Sequence, residues 1–189
     1  MPTTARSAVL RGSQCLRPAF GQRASHAVTL RFDLTHFQCR FLAMKNDSEA
    51  LLARFARLKS FLGFGVQSTD EVVGDAVLRR HERDIAERVI AQLHARGIPF
   101  QVSLIVGLPY QTLASFERDL AWCREQGIPR VQAFHLSLLV GTGFWREQKA
   151  LGLVEGFVDG CGGTPLVVET PWMSRADMEQ ARAIAAALS

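Results

Sequence analysis

The sequence predicts an open α/β sheet of about four parallel strands, each followed by a covering helix. Three observations carry this prediction. Strand-sized apolar runs alternate with segments of helical period from Phe61 to Leu139. Two predicted helices end in matching stops, GIPF at Gly97 and GIPR at Gly127, which put glycine at the C-terminal cap and proline where a helix cannot continue. The strand cores, VSLIV above all, are nearly continuously apolar, as strands covered on both faces are.

In order along the chain, AVTLRFD (Ala27–Asp33) alternates apolar and polar residues and reads as the first strand. Residues 36–45 fit no single pattern. Asn46 and Asp47 are cap residues ahead of SEALLARFARL, whose Leu51, Leu52, Phe55 and Leu58 recur at helical spacing. FLGFGV (Phe61–Val66) reads as the second strand and runs into polar Gln67, Ser68 and Thr69. A helix over Glu82–Arg96, a strand over Pro99–Gly107, a helix over Thr112–Gln126 and a strand over Arg130–Leu139 follow. The tail differs in kind. Ala150–Gly163 reads as a glycine-rich loop, Pro165–Trp172 as extended chain, and Ser174 caps a last amphipathic helix through Leu188. The expected division is a basic, disordered arm over residues 1–26, the βα sheet over 27–149, and an extension over 150–189.

With 189 residues, 48% of them hydrophobic, the chain is long enough for one sizeable core and too short for two. No apolar run approaches the roughly 18 residues of a membrane span. The formal charge of +4 is unevenly placed: residues 1–32 hold Arg6, Arg11, Arg17, Arg23 and Arg31 and no acid, which leaves 17 basic against 18 acidic residues beyond them. A near-neutral folded part argues against a nucleic-acid surface. The arm has the composition of a mitochondrial presequence and equally that of an upstream start, so the cytoplasm is the expected location and the mitochondrion the alternative. Cys15, Cys39, Cys123 and Cys161 are 24, 84 and 38 positions apart, and no pair has the short gap that metal loops use.

In parallel α/β folds ligands bind at the carboxyl ends of the strands, so the residues just past each strand are the ones to inspect. These include Asp33 and His36, then Gln67 to Asp70, then Gly107 to Gln111, then Val140 to Gly143. Gly107 and Gly141 admit a close backbone approach, and the polar residues from Gln67 can hydrogen-bond a ribose or an amino-acid group. His81 reads as a cap or ion-pair partner, His94 as a helix-surface residue and Cys123 as a small buried hydrophobe. The Arg79, Arg80 pair reads as a solvated helix end that could aim one guanidinium at a carboxylate. No catalytic triad, general acid–base pair or metal set can be assembled.

The segments GFGVQSTDEVVGDAVLRRH (Gly63–His81) and GIPFQVSLIVGLPYQTLASFERDL (Gly97–Leu120) resemble the second half of a radical S-adenosylmethionine (SAM) enzyme. VQAFHLSLLVGT (Val131–Thr142) and LVVETPWMSRADMEQAR (Leu166–Arg182) extend the likeness, which covers about residues 48–189 and is nearest to members with a cobalamin-binding domain. The resemblance implies a (β/α)6 partial TIM-like barrel, of which this chain supplies strands 3 to 6. It also implies a 4Fe-4S cluster on a Cys-x3-Cys-x2-Cys loop that binds SAM and cleaves it to a 5′-deoxyadenosyl radical. That loop and the first two strands do not occur in this sequence.

Residue by residue, the resemblance puts Gln67 and Ser68 at the methionine end or ribose and Arg79 on the methionine carboxylate. It puts Val106 and Gly107 under the adenine, and Leu138 where the last strand offers backbone to the base. Ser103 stands where the related pattern has Asp, which weakens the ribose contact, and Val140 replaces a proline before Gly-Thr. No catalytic or metal-ligating residue is assigned. The leading expectation is the carboxyl-terminal portion of a radical SAM protein, with a residual SAM-binding face and no radical chemistry alone; whether the chain is itself an enzyme stays open. A module that pairs its open sheet edge with a partner carrying the missing half, or with itself, is the alternative. Cobalamin belongs to the parent protein if to anything.

Overall fold

The computed structural model describes residues 35–58, 60–157 and 165–187. The first strand, β1 (Thr35–Cys39), leads through a 3-10 turn (Phe41–Met44) into α1 (Ser48–Arg57) and β2 (Ser60–Gln67). Two helices, α2 (Glu71–Ala76) and α3 (Arg83–Ala95), precede β3 (Phe100–Val106). Then come α4 (Leu113–Glu125), β4 (Val131–His135) and the short α5 (Gly143–Glu147). The tail forms β5 (Val154–Gly156), β6 (Leu166–Glu169) and α6 (Arg175–Ala186).

Strands β1 to β4 form one sheet in sequence order and are parallel throughout, as the sequence predicts. Alternation along each strand gives the sheet two unlike faces. On the covered face Leu62, Phe64 and Val66 of β2 and Phe100, Val102, Leu104 and Val106 of β3 meet Leu52 of α1, Val89, Ile90 and Leu93 of α3, and Phe116 and Leu120 of α4 in one apolar core. Phe41 stacks on Phe64 with ring centroids 4.2 Å apart. The other face carries the small or amide-bearing Gly63, Gly65, Gln101, Ser103 and Gln132 together with Phe61, Ile105 and Phe134.

Both helix stops form as expected. Gly97 and Gly127 sit at φ of 60°, and the residue after each returns its N–H to the helix, Ile98 to the Leu93 carbonyl at 3.1 Å and Ile128 to the Cys123 carbonyl at 3.0 Å. Thr112 and Ser115 form a capping box on α4, and Ser174 and Asp177 form one on α6.

The structure departs from the expected elements in several places. The strand at the β2 edge is Thr35–Cys39, inside the segment the sequence left undecided, while the expected strand over residues 27–33 and the arm lie outside the described residues. The fourth strand ends at His135 because the chain then leaves β3 for the tail: Ser137 bridges Leu166, and the Val167 N–H donates to the Leu136 carbonyl at 2.9 Å. The glycine-rich segment contains β5, antiparallel to β6, which was not foreseen. The short helices α2 and α5 also went unread, since five or six residues give too little periodicity to register. The tail is part of the fold's own core, with Val167, Met173, Met178, Ala181 and Ala185 all buried in it. No helix among the described residues is long and apolar enough to cross a membrane.

Candidate functional site

The chain past β2 is shaped by a buried carboxylate. Asp119 of α4, fully buried, accepts hydrogen bonds from the Ser68 hydroxyl at 2.9 Å, the Thr69 hydroxyl at 2.6 Å and the Thr69 N–H at 2.7 Å. Burial pushes the Asp119 carboxyl above its usual range, and the bonds from Thr69 and Ser68 offset part of that rise. One residue on, Asp70 caps α2 by accepting from the N–H groups of Val72 and Val73. These anchors hold the strand exit against α4 and leave Gln67 in a left-handed conformation, φ 68°, rare for a residue with a side chain.

Gln67 and Arg79 meet above Gly65. The guanidinium of Arg79 donates to the Gln67 Oε1 at 2.5 Å. A Cβ on Gly65 would lie 2.8 Å from the Gln67 amide nitrogen and 3.4 Å from Arg79, so glycine is what lets both side chains fold over the strand. Arg79 arrives there because Gly74 admits the returning chain: its Cβ would stand 3.0 Å from the Arg79 carbonyl, and the Arg79 N–H donates to the Gly74 carbonyl at 2.8 Å. Among the described residues Arg79 has no ion-pair partner. Burial, reinforced by the nearby charge of Arg40, lowers its pKa. Arg80, by contrast, is exposed and paired with Asp75, so the structure divides the arginine pair into one solvated and one inward-turned member.

Ser103 pairs across from Gly65 in the β2–β3 register. On the same face Gln101 donates to the Gln132 Oε1 at 3.3 Å, and Gln38 and His36 lie over Gly63, where a Cβ would come within 2.7 Å of the Gln38 amide. The floor thus mixes amides, a hydroxyl, an imidazole and two glycines with the apolar Phe61, Ile105 and Phe134, and Arg79 lies beside Gly65.

Of the residues the sequence singles out, Gln67 and Arg79 come together on this face, and Ser103, buried, lies across from Gly65 in the register. Ser68 is bonded to Asp119 and 1% exposed, so its hydroxyl shapes the loop. Val106 and Leu138 are buried. The Val106 carbonyl accepts from Leu136, and the Gly107 N–H donates to the Gln111 side chain at 2.8 Å. Gly107 has φ of 90°, and a Cβ there would meet Met178 of α6 at 2.9 Å, so a glycine here lets the tail pack closely. His81 packs edge-on against Trp122 with its Nε2 buried and unpartnered, neither cap nor ion pair, while His94 contacts the Gln126 carbonyl at 3.1 Å. Sequence reasoning passed over Gly63, Gln38, Gln101 and Gln132; the period-two run GFG followed by Gln67 was the signal available.

Among the described residues no group of three or more Asp, Glu, His or Cys side chains could hold a metal ion. Cys39 points to the covered side, packed against the core. Cys123 is buried there as well, its thiol pushed up to about 12 by burial and by Asp119. Cys15 and Cys161 lie outside the described residues.

No family model and no curated protein matches the chain. Solved structures do. The radical S-adenosylmethionine methyltransferase TsrM from Kitasatospora setae, with cobalamin and a [4Fe-4S] cluster bound, is similar over 82% of this chain and 36% of its own, with a TM-score of 0.60 and 14% identity. The archaeal Elp3 of Methanocaldococcus infernus is similar over 62% of this chain and 28% of its own, with a TM-score of 0.54 and 15% identity. The radical SAM enzyme coproporphyrinogen III oxidase (HemN) of Escherichia coli, 25% identical over 53% of this chain and 23% of its own, has a TM-score of 0.46, too low to argue from. The four parallel strands and their helices therefore have the fold of part of a radical SAM TIM-like barrel, and the chain spans about a third of the TsrM structure that shares it.

Proposed function

We propose that the mixed face of the sheet binds S-adenosylmethionine and that the chain is the nucleotide-holding part of a radical SAM barrel. The observation that carries this reading is Arg79: a half-buried guanidinium at the strand ends, beside a glycine, whose partner is a neutral amide rather than a carboxylate. A ligand carboxylate would take the place of the Gln67 oxygen, since a charge-assisted bond to arginine is about twice as strong as a neutral one. The freed Gln67 amide would turn to the amino or ribose group, Gly65 would leave room for the ligand against the strand, and Ser103 would offer its hydroxyl across the sheet.

Bound SAM supplies an electrophilic sulfonium, and its reductive cleavage needs an iron–sulfur cluster that this chain's own cysteines do not fit. No pair of them has the short gap of a cluster loop, and among the described residues Cys39 packs against the core while Cys123 is buried with its thiol pushed up to about 12. The part proposed for these residues is to bind and orient. The TsrM neighbour holds cobalamin, and no residue here is assigned to that group.

Equilibrium dialysis of the full chain against labelled SAM tests the proposal. Binding is expected, with Arg79→Gln weakening it about tenfold and Gly65→Val abolishing it while the fold, followed by circular dichroism, persists. Anaerobic incubation with iron and sulfide is expected to leave less than about one iron per chain. Absence of binding at millimolar SAM, or equal binding by the Arg79→Gln variant, overturns the assignment.

A further inference from the structure

On the covered side of the sheet, β4, β6 and α6 enclose a cavity of about 260 Å³ that the SAM reading does not use. Its apolar lining comes from Phe157, Val167, Val168 and Met178, of which Val167 and Met178 are buried in the core. His135 forms part of the wall, with its Nε2 buried and without a hydrogen-bond partner. Burial and the nearby Arg182 lower the His135 pKa to about 4, so this wall carries no charge near neutral pH.

Three charged side chains, Arg175, Glu179 and Arg182, line the cavity. Arg175 is within 3.9 Å of Glu169, a loose pair. Glu179 and Arg182, both lining the cavity, have neither an ion pair nor a side-chain hydrogen bond among the described residues. They stand three positions apart on α6, which puts them on one side of the helix as neighbours. An unpaired cation and an unpaired anion side by side over an apolar floor are complementary to a ligand that carries both charges on one end and a hydrocarbon body on the other. The volume, just below the range of drug-sized pockets, suits a body of four to seven carbons or so.

The geometry points to a second small-molecule site, between β4, β6 and α6, for an apolar α-amino acid: its carboxylate on Arg182, its ammonium on Glu179, its side chain against Val167, Val168 and Met178. The site lies behind the sheet and stands independently of SAM binding on the mixed face.

Calorimetric titration of the full chain with L-leucine and L-phenylalanine tests this, with 4-methylpentanoate and isoamylamine as probes that each keep only one charge. At least one of the two amino acids should bind and shift the His135 ring resonances, and both single-charge probes should bind about tenfold more weakly. Arg182→Gln and Glu179→Gln should each weaken binding about tenfold, Arg182→Lys should restore most of it, and Arg79→Gln should leave it unchanged. No binding by either amino acid, equal binding by 4-methylpentanoate, or indifference to Arg182→Gln would overturn the proposal.

Discussion

Asp119 is the residue on which the shape of the β2 exit depends. Among the described residues its carboxylate has no cation and three donors from Ser68 and Thr69, so removing it strands those donors in the interior. Asp119→Ala is expected to cost about 2–4 kcal/mol in urea denaturation and to loosen SAM binding through Gln67, the neighbour of Ser68. Because its folded-state pKa is raised, Asp119 favours the fold below its unfolded pKa and loses that contribution as pH rises through the folded value. His135 works in the opposite sense. Its folded pKa of about 4 lies below the ordinary 6.5, so the unfolded chain takes up the proton first, and stability present near neutral pH is lost as pH falls from 6.5 towards 4. His135→Phe should therefore shrink the difference between urea midpoints at about pH 7 and about pH 4.5. His81, also lowered by burial, keeps part of it. Neither behaviour is legible in sequence, since Asp119 and His135 look like ordinary helix and strand residues until the fold buries them.

The elements differ in how local their causes are, and that decides which ones the sequence reveals. The stops at Gly97 and Gly127 need only the helix they end and a left-handed glycine, so two short motifs announce them. Gly127→Ala, forced to keep a φ of 60°, should cost about 1 kcal/mol in thermal denaturation. The end of β4 and the course of the tail depend instead on a pairing across 29 positions, Ser137 with Leu166, for which Arg130–Leu139 carries no signal. The docking of α6 is of the same kind. Met178, 2% exposed, packs so closely on Gly107 that a Cβ there would meet it at 2.9 Å. Met178→Ala should cost about 3 kcal/mol by the cavity it opens, seen as a lowered urea midpoint. Gly107→Ala should destabilise for the opposite reason, overpacking against Met178 at a φ that favours glycine.

At the scale of the whole molecule, one apolar face and one mixed face of a single parallel sheet divide the work, the mixed face setting Phe61, Ile105 and Phe134 among its glycines and amides. The helices bury the first, and the second carries Gly65, Gln67, Arg79 and Ser103 beside the carboxyl ends of the strands, where such sheets bind ligands. The parallel order was readable from apolar runs and helix stops. The division of faces was readable only in part, because Gly63 and Gly65 look like weak points in a strand until Gln38, Gln67 and Arg79 are seen to fold over them. The most direct measurement is a pair of ¹H–¹⁵N spectra of the full chain with and without SAM. The account predicts shifts concentrated at Gly65, Gln67, Arg79 and Ser103, lost in Arg79→Gln. Shifts confined to the α6 side of the sheet, or none at saturating SAM, would contradict it.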